Sequence, residues 1–163
     1  MMVSDSDFDK LISVGRDVLL IYPDKPGACF MMSALYAGHL ATLVSEPVRL
    51  IAGDLSIQGE YVFGGPRSVM PSFEADDHDW DGHAWIMCGD YIADVSIFRT
   101  GFSPKSPPLL ARHLAKSGFN RRSGLYIATE EEAVKDGFEY HAREVCGEEV
   151  ITRLYRGAMT HLS

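Results

Sequence analysis

The chain has 163 residues and a mass of 18.0 kDa, with 46% apolar and 23% charged residues. That composition excludes collagen-like, disordered and membrane-spanning architectures and points to a single domain over residues 1 to 163 with one sizeable core. Fifteen Lys and Arg against 23 Asp and Glu give a net charge of −8, which argues against a nucleic-acid backbone as partner.

The N-terminal stretch MMVSDSDFDK is acidic where a secretory signal would be basic, and the apolar run Val18 to Tyr22 is far too short to span a bilayer. No membrane partner is expected. Cys29, Cys88 and Cys146 lie far apart, and their odd number leaves at least one thiol outside any intrachain disulfide, as in a reduced, cytoplasmic protein.

Apolar residues at Phe8, Leu11, Ile12, Val14 and Val18 predict an amphipathic helix capped by Ser6 or Asp7. After Asp24-Lys25-Pro26-Gly27, the segment Cys29 to Val44 is apolar nearly all round and predicts a buried helix at the centre of the domain. Val48 to Ala52 and Ile57 to Phe63 read as strands, and Gly64 to Gly82 as a long loop. His83 to Met87 and Tyr91 to Ser96 form a hairpin turning at Gly89-Asp90. Leu109 to Ser117 reads as a helix behind Pro107-Pro108, and Leu125 to Ala128 as a short strand. Thr129 with Glu132 reads as a capping box, and Glu148 to Met159 as the last helix. The whole is an α+β fold with a mainly antiparallel sheet.

Cys29 opens its helix, where free backbone N–H groups and the macrodipole favour an anion, a setting that also suits a small buried hydrophobe. The hairpin adds to it. A two-residue turn opposes Cys88 to Tyr91 and Met87 to Ile92, so that His83 and Trp85 share a face with Asp94. His83 and Asp94 are then diagonal neighbours about 7–8 Å apart at the backbone. A carboxylate at that reach can orient an imidazole and stabilise its protonated form. The expected chemistry is nucleophilic: His83 takes the Cys29 proton, the thiolate attacks an acyl carbon, and Asp94 orients the imidazole. The Cys29 backbone N–H is a candidate oxyanion donor, and Tyr22 and Trp85 are candidates for substrate or oxyanion contact.

The segments PGACFMMSAL, SEPVRLIAGDL and GHAWIMCGDYIADVS resemble the transglutaminase-like core of the papain-like cysteine protease and hydrolase superfamily. Cys29, Pro47, Arg49, Gly53, His83, Ala84, Trp85 and Asp94 match its pattern over about residues 26 to 98. Asp94-Val95-Ser96 stands where the family often has Asp-Pro-Thr. The resemblance implies a central Cys-bearing helix packed on a sheet that carries His and Asp. It further implies thiol chemistry on an amide of a peptide, protein or small molecule: hydrolysis, deamidation, isopeptide cleavage or transfer to an amine. No cofactor or metal is required. The alternative is a catalytically silent domain of the same fold that binds a protein partner.

Other signals compete. Asp77-His78-Asp79-Trp80-Asp81-Gly82 has the opening of a calcium loop, but its twelfth position is Cys88 rather than Glu, and it reads as an acidic rim. His78 and His83 lack the spacing of a transition-metal site. Cys88 and Cys146 read as structural thiols. Arg112, His113, Lys116, Arg121 and Arg122 form the basic stretch, a solvated helix face or a contact for an acidic partner.

Overall fold

Ten consecutive residues, Val48–Ile57, form strand β1 and alternate two apolar sets. Leu50 and Ala52 belong to one buried cluster, Ile51, Leu55 and Ile57 to another. Because successive side chains of a strand point to opposite faces, a strand apolar on both sides needs cover on both. The computed structural model, which describes residues 3–22, 29–65, 82–104, 106–119 and 124–162, shows helices supplying that cover.

The other strands are β2 (Glu60–Phe63), β3 (His83–Cys88), β4 (Tyr91–Asp94), β5 (Tyr126–Thr129) and β6 (Phe138–Cys146). Every pairing is antiparallel, in the order β2-β1-β3-β4-β5 with β6 on β1. One edge of β1 carries β6. The other is divided between β3, against Val48 to Gly53, and β2, against Leu55 to Ile57.

The helices are α1 (Asp5–Ile21), α2 (Cys29–Leu40), α3 (Ile97–Gly101), α4 (Pro108–Lys116), α5 (Glu130–Lys135) and α6 (Glu148–Leu162). Leu11 and Val18 of α1, Leu35 and Tyr36 of α2, and Leu154 of α6 pack with Leu50, Ala84 and Ile86 on one face. Phe98 of α3, Leu110 and Leu114 of α4, and Ala133 of α5 pack with Ile51, Trp85 and Phe138 on the other. The α+β class and the mainly antiparallel sheet are as expected from the sequence. So is the hairpin register, with Cys88 opposite Tyr91 and Met87 opposite Ile92.

Several boundaries differ. The cap of α1 is Ser4, whose hydroxyl accepts the Asp7 N–H at 3.1 Å, and not Ser6 or Asp7. The Asp7 carboxylate instead accepts from the Ser45 hydroxyl at 2.8 Å and the Ser45 N–H at 3.1 Å, tying α1 to the approach to β1. Helix α2 stops at Leu40, short of Val44, where the chain turns. Strand β1 continues through Gly53 and Asp54, and β2 starts only at Glu60, after a turn in which Gln58 (φ 50) and Gly59 (φ 86) are both left-handed. Helix α3 and strand β6 are additions to the expected elements. Pro26-Gly27-Ala28, most of the long loop with His78 and Asp77 to Asp81, and Arg121-Arg122 lie outside the described residues.

Candidate active site

Helix α2 and strand β3 cross so that the first residue of one meets the first residue of the other. The buried Ser33 hydroxyl donates to the Ala84 carbonyl at 3.4 Å, fixing the first turn of α2 over the start of β3. Cys29 lies one turn before Ser33 on the same helix face. It therefore sits at the start of β3, beside His83, close enough for its side chain to act on the imidazole. Cys29 is partly exposed, whereas Cys88 and Cys146 are buried.

Asp94 ends β4 beside β3, on the face that the alternation of Trp85 and Ile92 defines. Its Oδ2 lies 2.5 Å from His83 Nε2, so Nδ1 is the ring nitrogen left for Cys29. The pair is sealed from solvent, His83 being 2% and Asp94 0% exposed. Burial by itself would lower the His83 pKa. The Asp94 charge and hydrogen bond, with a further contribution from the Cys29 side chain, outweigh it and raise the pKa above the ordinary histidine range. The imidazole thus binds a proton tightly, and Asp94 holds the ring in one orientation.

Asp94 is itself held. Its Oδ1 accepts the backbone N–H groups of Ser96 at 3.1 Å and Ile97 at 3.0 Å, at the start of α3. Its Oδ2 also accepts the Tyr140 hydroxyl at 2.9 Å. Burial and the neighbouring Asp94 charge hold the Tyr140 pKa well above its usual value, so this hydroxyl stays a donor. Phe63 stacks on the imidazole with ring centres 5.1 Å apart and planes 14° apart.

No protein-family model, curated protein or solved structure matches the chain. The site consists of a thiol at a helix N-terminus, an imidazole beside it, and a carboxylate fixing the imidazole.

The geometry thus brings together Cys29, His83 and Asp94. Trp85 lies buried beside them, its ring centre 6.0 Å from that of His83 and edge-on to Tyr140 at 4.9 Å, as a wall behind the imidazole. Tyr22 is buried in the cluster against which Cys29 packs, and burial raises its hydroxyl pKa. Its carbonyl accepts from Arg99 Nη1 at 2.8 Å, and the same guanidinium bonds the Leu19 carbonyl, bracing the end of α1 from α3. Tyr140, Phe63 and Arg99 escaped the sequence reading. Phe138 and Tyr140 alternate behind a glycine turn, a strand signal that would have drawn attention to Tyr140. Among the described residues, no cluster of three His, Cys, Asp or Glu is arranged to hold a metal, and no helix is long and apolar enough to cross a membrane.

Proposed function

We propose that the chain is a thiol-dependent hydrolase or acyltransferase acting on an amide bond, with a papain-like, transglutaminase-type arrangement. Cys29 is the nucleophile, His83 the base and then the acid, and Asp94 the orienting carboxylate. One observation carries the reading: a single buried imidazole is bound by the Asp94 carboxylate with the Cys29 side chain beside it. The helix bearing Cys29, packed on an antiparallel sheet that bears His83 and Asp94 on adjacent strands, supports it further.

In the first half-reaction, with the Cys29 proton already held on His83, the sulfur attacks the amide carbon, forming a C–S bond. The backbone N–H of Cys29, at the start of α2, is the candidate donor to the resulting oxyanion. His83 then protonates the leaving nitrogen as the C–N bond breaks, which leaves a thioester. In the second half, water or an amine gives its proton to His83 and attacks the thioester. The C–S bond breaks and the starting arrangement returns, with the proton on His83. Tyr22, kept protonated by burial, is the candidate second donor, and Trp85 excludes water behind the imidazole.

Alkylation with iodoacetamide followed by peptide mapping tests this reading. Cys29 should react first and fastest. Cys88 and Cys146, whose thiols burial pushes up to about 11 and about 12, should react only after unfolding. His83→Ala should slow Cys29 by about 10-fold or more, since positioned bases contribute roughly 10²–10⁴-fold. A Cys29 rate no faster than that of a free thiol, and unchanged by His83→Ala, sinks the reading.

A further inference from the structure

On the sheet face opposite α2, a groove of about 720 Å³ opens between α4, the end of α5 and the β1–β2 turn. Arg112 and Lys116, one turn apart on α4, and Lys135 at the end of α5 line it. Among the described residues, neither Arg112 nor Lys116 has an ion-pair partner. The one acid in the lining, Asp136, is turned to other duty, its carboxylate accepting the Tyr126 hydroxyl at 2.6 Å. Leu109, Phe119 and Val134 supply apolar surface, and Val134 is 57% exposed.

Lys116 and Lys135 each end a helix, and the macrodipole accounts for either cation alone. It does not account for Arg112, nor for two helix ends meeting across one concavity beside an uncovered valine. Like charges from separate elements gathered in a hollow repel one another and focus a positive field, here on a chain whose net charge is −8. A compact phosphate is a poor match. Both helices present C-terminal carbonyls rather than N–H groups, so there is no backbone cradle for a dianion.

We propose that this groove binds an acidic peptide segment, its carboxylates meeting Arg112, Lys116 and Lys135 and an apolar side chain lying on Val134 and Phe119. Spaced carboxylates suit cations on long stems, and a peptide covers the apolar surface that an inorganic anion would leave wet. The inference does not depend on the chemistry of Cys29.

The test is fluorescence anisotropy with a labelled peptide of alternating Glu and Leu, beside its Lys-for-Glu counterpart. The acidic peptide should bind saturably and the basic one should not. Raising salt from about 50 to about 300 mM should weaken binding as charge screening grows. Arg112→Glu/Lys116→Glu, at exposed positions, should lower affinity by at least about tenfold, and Lys135→Glu, on a different helix, should lower it independently. Alkylation of Cys29 should proceed at the wild-type rate in both variants. No binding, equal binding of the two peptides, or binding unaffected by both variants would overturn the proposal. So would displacement of the peptide by inorganic phosphate beyond that caused by chloride of equal ionic strength, which would assign the groove to phosphate.

Discussion

The two oxygens of Asp94 have separate partners. Oδ1 takes the backbone N–H groups of Ser96 and Ile97, and Oδ2 takes His83 and the Tyr140 hydroxyl. The first pair fixes where the carboxylate lies, and the second decides how strongly it holds the imidazolium. With Tyr140→Phe the Oδ2 charge falls to His83 alone, so the imidazolium is held more tightly. A net hydrogen bond of about 1 kcal/mol corresponds to somewhat less than one pH unit. The alkaline limb of Cys29 alkylation by iodoacetate, an anion drawn to the imidazolium, should therefore move up by about half to one pH unit. Stability should fall by about 1 kcal/mol. A fall in stability with an unmoved limb would reduce Tyr140 to packing.

At the scale of elements, β1 carries the site because it pairs on both edges at Gly53, with His83 on one side and Ala142 on the other. A Cβ at Gly53 would lie 2.0 Å from the His141 carbonyl oxygen and 2.8 Å from Trp85 Cη2. Neither neighbour can give way cheaply, one being backbone and the other a buried ring. Gly53→Ala should cost about 1–3 kcal/mol in a urea melt and slow Cys29 alkylation by displacing the start of β3. Wild-type stability in this variant would mean that β6 slides freely past β1. The same glycine explains why β1 extends beyond the expected Ala52 end. Gly53-Asp54 looks like a strand end by composition, but tertiary pairing overrides that preference. The β3–β4 hairpin was legible because its turn residues set the register and parity then placed His83 and Asp94 on one face. The α5 start was legible from the Thr129 and Glu132 capping box. Strand β6 was not. Its apolar alternation is confined to Phe138 and Tyr140, residues His141 to Val145 are exposed, and its stability comes from pairing with β1. Tyr140, one of the groups that hold Asp94, was hidden with it.

For the molecule as a whole, proton linkages of opposite sign bound the range of pH in which the fold is most stable. His83 has its pKa raised from 6.5 to about 10, because the Asp94 charge and hydrogen bond overcome the opposing effect of burial. The folded chain therefore binds that proton more tightly than the unfolded chain. The stabilisation is full below pH 6.5 and is lost as pH rises through about 10. Asp7 behaves in the opposite way. The Ser45 hydroxyl lowers its pKa below 3.8, against a smaller desolvation effect and with help from backbone N–H groups. That stabilisation is full above pH 3.8 and is lost as pH falls through the lower folded value. Melting curves of the wild type, His83→Gln and Asp7→Asn at about pH 3, 6 and 10 separate the two. The gap between wild type and His83→Gln should be wide at pH 6 and nearly closed at pH 10, while the Asp7→Asn gap should narrow only toward pH 3. Titrations of groups remote from His83 and Asp7 are common to all three proteins and cancel in the gaps. A His83→Gln gap as wide at pH 10 as at pH 6 would mean that the buried imidazole is neutral in the folded chain, and that Asp94 serves to orient it without charging it.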